Sequence, residues 1–199
     1  MAMQADANPT MPLWFAVRTK SRQEKMSATM LESLGVDHYL PLQTELRQWS
    51  DRKQAVSIPL FSGYVFLRIT SDGAERKAIL RVPGIVGFVG NKDGPSPIPN
   101  YEIEYVRTAL AGGTRCSVVP PIQIGERVRV FRGALQGLEG VLVRSNSGSR
   151  LVICVEMIQQ SIAIAVSQDD VVSVRSGSPY SFTGPFPNAI PQARDVIAG

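Results

Sequence analysis

Little in this chain supports bond-making chemistry. Histidine occurs once, at His38, and cysteine twice, at Cys116 and Cys154. One imidazole gives no histidine metal cluster, and two isolated cysteines give neither a Cys-x-x-Cys site nor a disulfide framework. They read as ordinary thiols of a reducing compartment. A glycine-rich phosphate loop of Walker spacing is missing, and Ser62-Gly63 lacks the upstream glycine that a nucleophile elbow requires. These absences argue against an enzyme, a bound metal or a cofactor. No apolar run reaches the ~18 residues of a membrane span. Met1 to Pro12 also lacks a basic start followed by an apolar core, so neither a membrane segment nor a signal peptide is expected. A cytoplasmic, monomeric protein is the expectation.

Apolar residues are 44% of the chain and charged residues 19%, a balance that supports packed cores rather than disorder. The formal net charge is +4, from 21 basic and 17 acidic side chains. That excess is spread thinly, so it permits nucleic-acid contact only at a local patch.

Residues 1–12 are small and polar with two prolines and read as a flexible leader. Trp14-Phe-Ala-Val-Arg mixes aromatic and β-branched residues as a strand does, and Ser21-Arg-Gln-Glu24 has the spacing of a capping box. The following helix is expected to run to Leu34, with Met26, Met30 and Leu34 beside Leu31 as its core stripe and Gly35 ending it. From His38 to Ile69 the chain reads as a long hairpin with a polar crest at Ser50 to Lys53, entering a central strand at Tyr64-Val-Phe-Leu. Asp72 and Glu75 mark a second helix through Leu80, and Ile85 to Val89 a further strand. Asn100 is expected to cap a third helix in which Ile103, Val106 and Leu110 face the core, with Gly112-Gly113 ending it.

The fold class is therefore α+β. Residues 13–113 have the β-α-β-β-α-β order of a ferredoxin-like sandwich, whose helices cover one sheet face and leave the other available. Residues 114–123, with Pro120-Pro121, read as a semi-rigid linker. Within 124–175, five short strands separated by Gly, Ser and Asn fit a small SH3-like β-barrel. Residues 176–199, rich in Ser, Gly and Pro, read as a mobile tail.

Three features could bind a partner. Phe61, Tyr64 and Phe66, with Phe88 from a neighbouring strand, could form an aromatic patch, although periodicity alone equally allows them to fill the core. Lys20, Arg22, Gln23 and Lys25 gather at the start of the first helix, where phosphate is favoured, but such a face is also commonly just solvated. Trp49 sits among charges at the hairpin crest and has no assigned role.

Three blocks taken in order, Trp14-Phe-Ala-Val-Arg-Thr, Leu60-Phe-Ser-Gly-Tyr-Val-Phe-Leu and Phe131-Arg-Gly-Ala-Leu-Gln-Gly-Leu-Glu-Gly-Val, resemble the NusG family of bacterial transcription elongation factors. Arg81-Val-Pro-Gly-Ile-Val-Gly-Phe-Val-Gly90 is similar to a later strand of that family's first domain, and the third block is similar to its KOW motif. Ser62 stands where the family usually has proline.

The resemblance implies that Phe61, Tyr64, Phe66 and Phe88 grip the clamp helices of the largest RNA polymerase subunit. It implies that Lys20, Arg22, Gln23 and Lys25 meet the non-template DNA strand. It also implies that Leu135, Leu138 and Met157 on the barrel meet a ribosomal small-subunit protein or the termination factor Rho. The implied activity is elongation and antitermination, and the hairpin crest is closer to specialised paralogues of the RfaH and UpxY kind. RfaH stores its barrel segment as a helical hairpin, but Val141-Leu-Val, Leu151-Val-Ile and Ile162 to Val166 are β-branched, so a barrel from the outset is expected here. The alternative is a ribosome-associated or RNA-binding KOW protein.

Overall fold

Both faces of the strand Leu13–Thr19 (β1) are apolar, and that decides the architecture around it. The structure, a computed structural model, describes residues 11–48, 52–70, 73–113, 115–119, 125–145 and 148–174. The expected tail, most of the leader, Trp49 and Asp72 lie outside these residues, as does the later part of the linker. After β1 come α1 (Glu24–Ser33), β2 (Asp37–Tyr39), β3 (Leu42–Gln48), β4 (Lys53–Pro59), β5 (Tyr64–Ile69) and α2 (Gly73–Leu80). Then follow β6 (Ile85–Phe88), the short pair β7 (Gly90–Asn91) and β8 (Gly94–Pro95), and α3 (Asn100–Ala111).

Strands β2, β5, β1 and β6 make an antiparallel four-stranded sheet in that order. This is the split βαβ arrangement expected of a ferredoxin-like sandwich, with the β3–β4 hairpin inserted as a separate two-stranded sheet. Alternation along β1 and β5 sends Phe15, Val17, Val65, Leu67 and Ile69 to one face, where they pack with Leu31 of α1 and Ile79 of α2. Trp14, Ala16 and Phe66 go to the other.

That second face is not open, contrary to expectation. Ile103, Val106 and Ala109 of α3 close over it. The cause is that α3 carries its own apolar stripe, and fully buried rings such as Phe61 and Phe66 each gain about 1.5–3 kcal/mol from leaving water.

Two helix starts also differ from expectation. No side chain caps α1, whose N-cap is Gln23; Glu24 is buried and accepts instead from the backbone N–H of Gly63 at 2.7 Å. Asn100 does not cap α3 either, because its Oδ1 accepts from Trp14 Nε1 at 3.1 Å. The expected stripe on α1 is reversed as well. Glu24, Ser27, Ala28 and Leu31 face the sheet, while Met26, Met30 and Leu34 are exposed. Small Ser27 and Ala28 allow close approach, and Ser27 Oγ donates to the Pro83 carbonyl at 3.2 Å.

The chain then enters β9 (Cys116–Val119), β10 (Glu126–Val130), β11 (Glu139–Ser145), β12 (Gly148–Val155), β13 (Gln160–Val166) and β14 (Val171–Ser173). Their order is β14-β10-β11-β12-β13-β9, all antiparallel. The five expected barrel strands are present as strands. β9, expected as linker, adds a sixth by pairing Cys116 to Val119 with β13. In the β10–β11 turn, Gly133 and Gly137 take φ of +85° and +89°, and a Cβ on Gly140 would lie 2.3 Å from the Val152 carbonyl oxygen. Only glycine fits such a path without strain.

Candidate functional site

The tight turn between β4 and β5 fixes the aromatic cluster. Tyr64 N–H donates to the Phe61 carbonyl at 3.3 Å, and Gly63 at the third turn position has φ +81°, which favours glycine there. Phe61 therefore folds back beneath β5, and its ring meets Phe66 edge-on with centroids 5.9 Å apart. Phe66 in turn lies near parallel to Tyr39 at 6.4 Å, because β2 and β5 pair Tyr39 with Phe66. The Arg107 guanidinium from α3 caps this series, 4.8 Å from the Tyr39 ring centre and 5.2 Å from that of Trp14. Burial pushes the Tyr39 hydroxyl up to about 12, against the opposing pull of Arg107, so it stays protonated at neutral pH.

Of the four aromatic residues expected to make one surface, the structure brings three together. Phe61 and Phe66 are fully buried and form the floor of the cluster, not its surface. Tyr64 is half-buried, with the exposed Arg18 directly opposite it on β1. Phe88 belongs elsewhere: it pairs with Val17 and packs edge-on against Phe15 at 6.3 Å, on the face covered by α1 and α2. Sequence spacing within one strand orders Tyr64 and Phe66, but the face of Phe88 depends on the β1–β6 register. Tyr39, Trp14 and Arg107 were missed; the aromatic character of Tyr39 opposite a central strand was the available signal for the first.

The basic residues divide in a similar way. Arg22 and Lys25 line an open cleft of about 590 Å³ together with Glu24, Arg47, Ser57, Ile58, Pro59 and Ser62, between the start of α1 and the β3–β4 hairpin. Lys25 Nζ donates to the Ser57 carbonyl at 2.6 Å. Arg22 holds a left-handed φ of +63°, a costly conformation for a side-chain-bearing residue. Lys20 is exposed but does not line the cleft, and Gln23 is half-buried against Gly84. Arg47 was missed because its partner residues lie on another element.

On the barrel, Leu138 is buried in the core and Leu135 is nearly so. The expectation that both face a partner is corrected by the docking of the barrel on α3. A Cβ on Gly112 would come 2.7 Å from Leu135 Cδ2, so this leucine sits directly on the helix end. Met157 is half-buried against the same cluster, which runs from the sheet through α3 into Val155 and Ile158. Further ties join the modules, the Arg115–Glu45 ion pair at 3.3 Å among them. Cys116 N–H donates to Gln43 Oε1 at 2.8 Å, and Glu156 N–H donates to Glu102 Oε2 at 3.3 Å.

His38 Nδ1 lies 3.1 Å from the Val36 carbonyl, a local structural contact. Among the described residues no group of three or more His, Cys, Asp or Glu could hold a metal ion, and no helix is long and apolar enough to cross a membrane.

Comparison with known proteins gives consistent findings. Residues 12–107 match the family model described as transcription termination factor nusG. The transcription termination/antitermination protein NusG of Lactococcus lactis subsp. lactis is 22% identical over 175 residues, covering 82% of this chain and 94% of that protein. NusG of Thermus thermophilus is 27% identical over 153 residues, covering 67% and 82%. A solved structure of domain interaction in Thermotoga maritima NusG aligns over 84% of this chain and 99% of that one, with TM-score 0.52 and 19% identity. At that identity the likeness is one of fold.

Proposed function

With residues 12–107 placing this chain in the NusG family, we propose that it is a transcription elongation and antitermination factor that docks on the clamp helices of RNA polymerase. What carries this reading is the match of that segment together with relatives, named as termination/antitermination proteins, that align across both modules.

The docking surface is the rim of the aromatic cluster, with Tyr64 and Arg18 at its accessible end and Phe61 and Phe66 as the rigid floor that positions them. A buried floor holds the rim in place before binding, which lowers the ordering cost of association. The cleft of Arg22, Lys25 and Arg47 adds a second contact, to the phosphates of an unpaired DNA strand. Arg47, opposite Gln54 near the tip of the hairpin, adds a third cation to that cleft. The barrel recruits a further protein through Leu135 and Met157 once it leaves α3. The hairpin and the Pro59-Leu-Phe61 block favour a specialised paralogue over a housekeeping factor.

Such a factor makes or breaks no bond. It opposes pausing only to the extent that it binds the closed clamp and the paired upstream DNA more tightly than the paused state. Capture of purified core RNA polymerase by the intact chain tests the docking, with Tyr64→Ala as the variant that alters the rim and spares the floor. Strong capture by the wild type and weak capture by folded Tyr64→Ala is the expected pair of results; equal capture removes the docking role.

A further inference from the structure

We propose that the seating of the barrel on α3 is proton-linked through two carboxyl groups, Glu102 on α3 and Glu156 in the turn after β12, such that the seated form holds a proton on Glu102 that separation of the two surfaces releases. Glu102 is 3% exposed, although it is an acid in the first turn of a helix. Its Oε2 receives the Glu156 N–H at 3.3 Å across the contact between the modules, which sets the half-buried residue Glu156 against the buried Glu102 carboxyl. The other titratable groups facing the pair are Tyr101 on α3 and Cys154 on β12, with Tyr105 and the Arg127 guanidinium acting on Tyr101.

A buried carboxyl ionises only at a cost, and a second carboxylate beside it adds to that cost. Burial first, and then the negative charge of Glu156, push the Glu102 carboxyl up to about 8, against the opposing effect of the Glu156 N–H. Burial also raises Glu156, and burial with the two carboxylates raises Tyr101 to about 12. Separating the barrel from α3 returns Glu102 to water and removes Glu156, so its ordinary value of 4.5 is restored.

The sign follows directly. Because the seated form has the higher proton affinity, its extra stability is complete below pH 4.5, declines as pH rises through the window up to about 8, and is gone above it. Within that window the seating equilibrium falls by up to about tenfold per pH unit. Acid therefore closes the molecule and mild alkali opens it. The joint that would move is Gly112-Gly113, the latter at φ +70°, since β9 beyond it pairs with the barrel strand β13. Contacts between modules of one chain are commonly of the separable kind. The linkage is a property of this contact and does not depend on which partner the freed faces take.

The test is carboxyl-carbon NMR of the full chain from pH 5 to 9, with backbone amide shifts of α3 and of Glu156 to Ile158 followed in the same samples. A Glu102 midpoint near 8, with those amides moving in the same step, is the expected result. Glu102→Gln is expected to abolish the step and keep the seated spectrum at about pH 8.5, above the window of the linkage. Glu156→Gln is expected to lower the Glu102 midpoint, and it carries the test alone should Glu102→Gln not fold. The proposal is overturned by a Glu102 midpoint in the ordinary carboxylate range. It is equally overturned by a high midpoint with the contact amides unmoved, or by a pH step that persists in Glu102→Gln.

Discussion

Glu24 Oε1 accepts the backbone N–H of Gly63 at 2.7 Å, so the first residue of α1 holds the turn that launches β5. This one bond links the basic cleft to the aromatic cluster, because Arg22 and Lys25 flank Glu24 while Phe61 and Tyr64 flank Gly63. A buried carboxylate bonded to a main-chain donor is worth more than a neutral pair. Glu24→Ala is expected to lower stability by about 1.5–3 kcal/mol, read as a drop in urea midpoint at unchanged slope. Glu24→Gln, which keeps an acceptor, should lose clearly less.

Phe66 and Tyr64 stand two apart on the same strand face yet differ in burial, and their variants should separate folding from binding. Phe66→Ala removes a fully buried ring and should cost about 3–5 kcal/mol. Tyr64→Ala should shift the urea midpoint far less while weakening polymerase capture. A Phe66→Ala protein that stays as stable as wild type would contradict the sealed floor described above.

The methionines of α1 offer a direct contrast between periodicity and packing. Met26→Gln and Met30→Gln are expected to stay within about 0.5 kcal/mol of wild type, since both side chains are exposed. Ser27→Leu, on the buried side, should cost about 1–3 kcal/mol by overpacking against Pro83. Thermal or urea unfolding of the three variants checks the orientation of the helix.

The cleft predicts a salt signature. Replacing Arg22, Lys25 and Arg47 by Ala should weaken single-stranded DNA binding and flatten its salt dependence by about 0.7 in log–log slope for each phosphate no longer neutralised. Lys20→Ala, outside the cleft, should change the slope less. Fluorescence anisotropy titrations between low and moderate salt provide the measurement.

Much of the architecture was legible because local rules and the fold agree. The β-branched runs of Val141 to Val143 and Ile162 to Val166 are strands, Gly133 and Gly137 occupy the turn that demands them, and the apolar alternation around Tyr64 to Leu67 is a central strand. The capping residues were misread for a shared reason. Glu24 and Asn100 both have the right type and spacing to satisfy a helix end, yet each is taken by a partner far along the chain, Gly63 and Trp14. A side chain with one strong acceptor satisfies the donor that packing buries beside it, and sequence spacing does not count distant donors.

The sequence by itself determined most of the strands and helices, though not β9, together with the tight turn of the β10–β11 segment and the kinship of the first module, because propensity, alternation and glycine chemistry act over a few residues. Only the tertiary structure decided which side of α1 meets the sheet, that α3 closes the second sheet face over Phe61 and Phe66, that Phe88 turns to the opposite side, and that Glu102 comes to rest beside Glu156. Periodicity defines stripes relative to one another, whereas the choice of which stripe to bury depends on the shape and charge of whatever element arrives to cover it.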